Sequence, residues 1–294
     1  MKIGMIKGLL KLMGIPFWIV AIGPLYLGWV IGSKTIVLDW KISIGLLIIG
    51  PLVGGSTLAY NEYCDRDIDL HNIRKRSSIL LRGIVEPSSI LRLYIFLIIL
   101  AVLLSLTINI TFTLLISLCI LLSIFYSHPF FRVKEIGGLD IIVNIFGIGV
   151  VIPLAGFSIA SELKNFPYLN LVPIASAIGG LYALTTVADY LPDRKSGANS
   201  LAVKIGIRNT IYLGLCFHLL SVTTNISLLM KYSPTPIVLI IICLISIGIV
   251  FFYWFYMIKQ SKIRYRRLLF TLVLITYLYG LMVGVWCLSY IGFV

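Results

Sequence analysis

The chain has 294 residues, of which 60% are hydrophobic and 12% charged, and its mean hydropathy is +1.05. A water-soluble fold does not need so much apolar surface, so the composition predicts an integral membrane protein. Repeated apolar runs of helical length exclude a transmembrane β-barrel, whose strands are short and alternate. The formal net charge of +13 then reflects loops that face an anionic leaflet, and we expect no nucleic-acid partner.

The apolar runs predict an all-α bundle of nine transmembrane helices in a single domain, residues 1–294, because no linker or change of composition divides the chain. The predicted spans are about Ile15 to Ile31, Lys41 to Asn61, Ser88 to Leu106, Thr111 to Tyr126, Leu139 to Ile159, Leu171 to Ala188, Thr210 to Met230, Pro236 to Met257 and Leu268 to Ile291.

Charge placement orients these spans. With a cytoplasmic N-terminus, all but four of the 24 lysine and arginine residues fall on cytoplasmic segments. The exceptions are Lys34, Lys41, Lys164 and Lys231. This positive-inside pattern predicts a protein of the cytoplasmic membrane.

The second predicted span ends in an acidic motif, in which Asn61, Asp65 and Asp69 are spaced four residues apart. On a helix this spacing places all three side chains on one face. Converging oxygen ligands suit Mg²⁺, which is commonly shared with the phosphates of a substrate. A solvated acidic helix end is the structural alternative for this motif taken alone.

A second acidic motif favours the metal interpretation. Asp189 and Asp193, again four residues apart, close the sixth predicted span, so both motifs fall on the cytoplasmic face. Their recurrence after four helices predicts a duplicated four-helix unit with one extra helix. One acidic cluster in each half would hold metal ions on both flanks of a diphosphate.

Basic residues near the motifs predict an anion bound together with the metal. Cytoplasmic loops are commonly basic, so solvated loop residues are the alternative here. The candidate diphosphate ligands are Arg76, Arg82, Arg132, Lys134, Arg194 and Lys195.

Mg²⁺ and a diphosphate at the mouth of an apolar bundle predict a substrate with a diphosphate head and an apolar tail, and isoprenyl diphosphates fit this description. The metal would promote loss of diphosphate, and aromatic faces would stabilise the allylic cation that forms. Tyr126, close to the mouth, is the candidate aromatic residue. If the acceptor is a phenol or enol, a nearby carboxylate would relieve its positive charge, and Asp193 is the candidate for this role.

These residues resemble the UbiA-type intramembrane prenyltransferase superfamily over nearly the whole chain. The Asn-x₃-Asp-x₃-Asp motif of that family is matched by Asn61, Asp65 and Asp69, and its second Asp-x₃-Asp motif by Asp189 and Asp193. The family's later Asn and Arg are resembled by Asn72 and Arg76, and its Tyr-Ser and Arg-x-Lys loop by Tyr126, Ser127, Arg132 and Lys134.

The resemblance implies Mg²⁺-dependent transfer of a prenyl group from its diphosphate to a lipophilic acceptor. The acceptor class stays open among quinone precursors, ether lipids, chlorophyll-type compounds and carotenoids. The chain departs from the family pattern at Glu62, where the family carries Asp, and at Ser77, where the family carries Pro. Two other functions remain alternatives: an ion-coupled transporter, which would place charges near the bilayer midplane, and an alcohol phosphatidyltransferase, whose aspartate-rich signature is not found in the sequence.

Overall fold

The computed structural model describes residues 8–69, 78–232, 235–258 and 265–292. Within these ranges the chain is helical and contains no strand, apart from a single bridge between Ile136 and Asn199. The membrane helices, named α1 to α9 in chain order, run over Ile19–Ser33 (α1), Trp40–Leu47, Ile48–Gly55 and Ser56–Asp69 (together α2), Pro87–Leu106 (α3), Ile110–Ser127 (α4), Leu139–Phe146, Gly147–Val151 and Ile152–Ser158 (together α5), Leu171–Ser196 (α6), Ile207–Leu229 (α7), Pro236–Ile258 (α8) and Tyr265–Tyr290 (α9).

Eight of the described helices are long and apolar enough to cross a membrane. A ninth span results when Gly8–Phe17 and Ile19–Ser33, which meet at a bend of 48°, are counted together. The prediction of a polytopic all-α bundle is therefore confirmed. The first span is not a straight helix, because Gly14 adopts a left-handed backbone conformation with φ of 58°. This conformation interrupts the helical hydrogen-bond ladder before Ile19–Ser33 begins.

Two spans contain π-helical stretches. In α2 the stretch Ile48–Gly55 includes Pro51, and in α5 the stretch Gly147–Val151 directly precedes the turn that contains Pro153. Proline has no backbone N–H to donate and disturbs the helical hydrogen-bond ladder. Wider π turns satisfy the displaced carbonyls, which is required inside a bilayer because water is not available there.

The two halves of the bundle meet where α1 crosses α5. A Cβ added at Gly28 would overlap the carbonyl oxygen of Pro153, and one added at Gly156 would overlap that of Leu25. Gly28 and Gly156 are 128 residues apart, and so are Leu25 and Pro153. The contact is therefore reciprocal, and the small residues allow the two backbones to touch.

The same separation relates the two acidic motifs. Asn61 corresponds to Asp189, and Asp65 to Asp193, at 128 residues in both cases. The same separation of 128 residues thus relates the paired motifs and the two sides of the crossing between α1 and α5. This agreement supports the predicted duplication of a four-helix unit.

Candidate functional site

The first motif is closed by a lysine from another part of the chain. The Lys134 ammonium donates to Asn61 Oδ1 at 2.6 Å and to Asp65 Oδ2 at 2.6 Å. Asn61 Oδ1 also accepts from Ser127 Oγ at 3.3 Å, at the end of α4. The spacing of four on α2 therefore does bring Asn61 and Asp65 to one point, and that point already holds a positive charge.

An arginine completes this cluster. Arg132 Nη2 lies 3.2 Å from Asp65 Oδ1, and Arg132 Nη1 lies 3.0 Å from Glu135 Oε1. The Arg132 backbone is left-handed, with φ of 42°, a conformation that few non-glycine residues adopt. The side chains of Asp65, Lys134 and Arg132 are 16%, 13% and 21% exposed, so these charges interact with little screening by solvent.

The segment 128–138 between α4 and α5 carries both cations and is also attached to the second half. The Asn199 amide donates to the Glu135 carbonyl at 3.1 Å, and Lys204 Nζ donates to the Gly137 carbonyl at 3.3 Å. These contacts lie just beyond the second acidic motif. The segment therefore links the end of α2 to the end of α6 and shows that both motifs lie at the same end of the bundle.

Asp140 anchors the end of the segment 128–138 that joins α5. Its Oδ1 accepts from the Gly138 amide at 2.9 Å and its Oδ2 from the Leu201 amide at 3.0 Å. Asp140 is 2% exposed, and these hydrogen bonds compensate for burying its carboxylate. No motif in the sequence indicated this residue, because an isolated aspartate at the start of an apolar helix reads as an ordinary end of a span.

The second motif lies in the last turns of α6, which continues to Ser196 and ends at Gly197 in a left-handed conformation with φ of 80°. Asp189 is exposed and Asp193 is partly buried. The Asp193 carboxylate interacts electrostatically with Asp189 and Lys134. Lys134 therefore contacts Asp65 of the first motif and acts electrostatically on Asp193 of the second motif.

Tyr126 lies on the second-motif side of the site. Its hydroxyl interacts electrostatically with Tyr182, Asp140 and Asp189, and it faces the Asn144 side chain. Asn144 in turn donates to the Asp140 carbonyl at 2.7 Å. The structure thus brings the predicted aromatic residue to the acidic cluster.

Several predicted ligands lie elsewhere. Arg194 Nη1 donates to the Tyr190 hydroxyl at 3.1 Å on an exposed face, and Lys195 is also exposed. Arg82 is exposed on the turn that precedes α3. Arg76 lies outside the described residues, as does the side chain of Asp69, whose backbone ends α2. Among the described residues, Lys134 and Arg132 from the segment after α4 are the cations that contact the first motif.

The oxygens of the first motif fit a cation. Asn61 Oδ1 and Asp65 Oδ2 are both 2.6 Å from the Lys134 ammonium, so a positive charge already sits between them. Amide and carboxylate oxygens are the ligands that Mg²⁺ prefers. Among the described residues no group of three or more His, Cys, Asp and Glu side chains is close enough to hold a metal. A Mg²⁺ ion commonly keeps waters and shares substrate oxygens as further ligands.

An apolar cavity lies between α1, α6, α7 and α9, and its lining includes Gly23, Leu27, Ala177, Leu181 and Tyr279. Leu181 precedes Asp189 by eight residues on α6, which is about 12 Å along the helix axis. The part of the cavity that α6 lines therefore begins about 12 Å from the second acidic motif and runs away from it, towards Asn170 at the opposite end of the helix. Its lining is mostly aliphatic, which suits a hydrocarbon chain.

Comparisons with known proteins agree with this architecture. The model of the UbiA prenyltransferase family matches residues 21–275. No curated protein sequence matches the chain significantly. Among solved structures, the chain is similar to a UbiA homolog from Archaeoglobus fulgidus bound to GPP and Mg²⁺, with 19% identity, a TM-score of 0.71 and coverage of 97% of this chain and 99% of that one.

Two further structures are similar. One is a digeranylgeranylglyceryl phosphate synthase, with 18% identity, a TM-score of 0.68 and coverage of 97% and 98%. The other is an apo UbiA homolog from Aeropyrum pernix K1, with 18% identity, a TM-score of 0.69 and coverage of 92% and 98%. At these identities the structures establish the common fold, and the family model, which matches most of the sequence, establishes that the chain belongs to the UbiA prenyltransferase family.

Proposed function

We propose that the protein is a Mg²⁺-dependent prenyltransferase that moves an isoprenyl group from a polyprenyl diphosphate to a lipophilic acceptor and releases diphosphate. The observation that carries this proposal is the meeting of two acidic motifs and two cations at one end of a bundle that contains an apolar cavity. Family membership favours this activity over the transporter and phosphatidyltransferase alternatives.

The residues of the site divide into metal ligands and anion ligands. Asn61 and Asp65 from the first half, with Asp189 and Asp193 from the second, supply oxygens of the type that binds Mg²⁺. Asp69 completes the first motif in this proposal. When bound, Mg²⁺ neutralises charge on the diphosphate and makes it a better leaving group.

Lys134 and Arg132 are the proposed ligands of the diphosphate oxygens. They come from one segment and lie within reach of the first motif. An arginine fork and a lysine point charge together suit a diphosphate. The proposal gives Arg76, Arg82, Arg194 and Lys195 a lesser role, in drawing the anion towards the mouth through their charge.

The prenyl chain has a place in the cavity between α1, α6, α7 and α9. When the C1–oxygen bond of the donor breaks, an allylic cation would form beside aromatic side chains, and Tyr126, whose hydroxyl is influenced by the charge of Asp189, is the proposed one. The acceptor attacks C1 and loses a proton. Asp193, whose carboxylate interacts electrostatically with Asp189 and Lys134, is the proposed proton acceptor.

The relatives support the donor and the metal. One structure of a UbiA homolog from Archaeoglobus fulgidus contains GPP and Mg²⁺, and a second structure of a UbiA homolog from that organism contains DMAPP and Mg²⁺. The acceptor is assigned only as a lipophilic compound: a quinone precursor, ether lipid, chlorophyll-type compound or carotenoid. We further propose that the protein lies in the cytoplasmic membrane with the site mouth on the cytoplasmic face, because the basic residues concentrate there.

The test is an assay of the purified protein with radiolabelled isoprenyl diphosphates and a panel of these acceptors. We expect diphosphate release that requires both Mg²⁺ and one of the acceptors. Release should stop when the metal is removed with EDTA and resume when Mg²⁺ is restored. Donors that stay intact with every acceptor would contradict the proposal.

A further inference from the structure

Lys134 occupies the point at which the first motif would hold its metal. Its ammonium contacts Asn61 Oδ1 and both oxygens of Asp65. The side chain is 13% exposed and that of Asp65 is 16% exposed. An ammonium and a divalent ion repel each other strongly at such a distance, so both cannot lie between the same oxygens.

Lys134 differs in this respect from its neighbour Arg132. Arg132 contacts one oxygen of Asp65 and is also held by Glu135 and by the Cys64 carbonyl. The backbone that carries both cations is tied to the second half at Asn199. A metal that enters the first motif therefore meets one obstacle that can move, the flexible four-carbon side chain of Lys134.

We infer that Lys134 is an exchangeable counter-ion that makes metal binding conditional on diphosphate. In the free protein its ammonium neutralises the first motif. When Mg²⁺ enters, the ammonium leaves Asn61 and Asp65 and takes a diphosphate oxygen as its new partner. This inference rests on the proposed function, and it adds that metal alone binds weakly whereas metal and diphosphate bind cooperatively.

The position of Lys134 between the motifs supports this exchange. Besides its contacts with the first motif, its ammonium interacts electrostatically with Asp193. A small rotation of the side chain keeps the charge between the two halves, where the diphosphate is proposed to bind. By linkage, any increase in metal affinity caused by diphosphate equals the increase in diphosphate affinity caused by metal.

Equilibrium dialysis of the full-length protein with Mn²⁺ and inorganic pyrophosphate tests the inference, because it measures both bound species at known free concentrations. For the wild type we expect weak binding of Mn²⁺ alone, and an affinity about tenfold higher with saturating pyrophosphate. In Lys134→Met we expect Mn²⁺ alone to bind about tenfold more tightly and the effect of pyrophosphate to fall below about threefold.

Lys164→Met is the matched control, because Lys164 is also paired with a carboxylate, that of Glu162, but lies in the segment between α5 and α6. It should bind both probes as the wild type does. If Lys134→Met binds Mn²⁺ alone no more tightly than the wild type, the exchange is wrong. If the wild type binds no pyrophosphate in the presence of Mn²⁺, the proposed function itself fails.

A second measurement uses the unmodified protein and so does not depend on a variant that folds. Acetylation of Lys134 by a water-soluble reagent, followed by mass spectrometry, reports how accessible its amine is. We expect slow reaction in the free protein, about threefold faster reaction at Mn²⁺ concentrations that fill the site, and protection once pyrophosphate is added. A rate that Mn²⁺ leaves unchanged would overturn the inference.

Discussion

The two halves of the bundle carry equivalent motifs in different states. In the first half, Asn61 and Asp65 are covered by Lys134 and Arg132. In the second half, the equivalent Asp189 is exposed and Asp193 is partly buried beside it. The motifs also differ at their first position, where the second half has the carboxylate of Asp189 and the first half has the amide of Asn61.

The difference shows how a duplicated helix end acquires two roles. The first motif is neutralised by cations of the chain itself, so it is stable without a ligand. The second motif carries two carboxylates close together, which repel each other unless a cation lies nearby. Lys134, which contacts the first motif and acts electrostatically on Asp193, supplies part of that charge, and the metal of the proposed function would supply the rest.

The largest effect is expected on turnover. Asp65→Asn and Asp189→Asn should each lower the rate of diphosphate release about a thousandfold, because both halves are needed to hold the departing diphosphate. Glu162→Gln, which changes an exposed acid paired with Lys164 between α5 and α6, is the control and should keep full activity. A motif variant with more than about a tenth of wild-type activity, a loss below about 1.4 kcal/mol, would contradict a ligand role for that residue.

The second test concerns the crossing of the halves. Gly28→Ala and Gly156→Ala should each lower the free energy of unfolding by about 3 kcal/mol, because the new Cβ overlaps a carbonyl oxygen of the facing helix. Gly248→Ala is the control, since a Cβ there meets nothing within 4 Å. Chemical unfolding in detergent measures all three. Clearly unequal losses at Gly28 and Gly156 would contradict the reciprocal contact.

A smaller effect is expected on stability, where substitutions in the two motifs should change the free energy of unfolding by different amounts. Asp65→Asn should lower the free energy of unfolding by about 1–2 kcal/mol, because Lys134 and Arg132 lose their carboxylate. Asp189→Asn should change it by less than about 0.5 kcal/mol, because the interactions of an exposed carboxylate contribute little to stability. Equal losses would show that the two motifs do not differ in the free protein as the structure indicates.

The smallest effect concerns the cavity, whose lining comes from both halves. Gly23→Leu adds a side chain to its wall, and we expect the rate with geranylgeranyl diphosphate to fall about fivefold relative to that with dimethylallyl diphosphate. Gly248→Leu adds the same side chain on α8, where nothing lies within 4 Å, and should leave the ratio unchanged. A ratio that Gly23→Leu also leaves unchanged would place the prenyl chain elsewhere.

The sequence was sufficient for the spans because length and hydropathy decide them. The predicted span from about Ser88 to Leu106 is found as Pro87–Leu106, and that from Pro236 to Met257 as Pro236–Ile258. Length and hydropathy also predicted that α2 and α6 end in the motifs. The helix α6 continues to Ser196, which is further than its apolar run indicates. The bend at Gly14 and the π stretches were not predicted, since hydropathy does not register them.

Contacts between distant residues were not available from the sequence. Lys134 was a candidate ligand of the diphosphate, and its contact with Asp65, 69 residues away, depends on how α2 and α4 are placed. The hydrogen bond from the Leu201 amide to Asp140 spans 61 residues and follows no local pattern. Basic residues close to the motifs in sequence were also candidates, yet Arg194 turns away to Tyr190.

The central claim is that both motifs hold one metal–diphosphate unit. Pyrophosphate binding in the presence of Mn²⁺, measured for Asp65→Asn, Asp193→Asn and the double variant, tests it most directly. We predict one pyrophosphate per chain in the wild type, and a lower affinity for that one pyrophosphate in each single variant and in the double variant, because residues from both halves act on a single ligand. A single variant that leaves pyrophosphate affinity unchanged, or two pyrophosphates per chain in the wild type, would show that the halves bind separately.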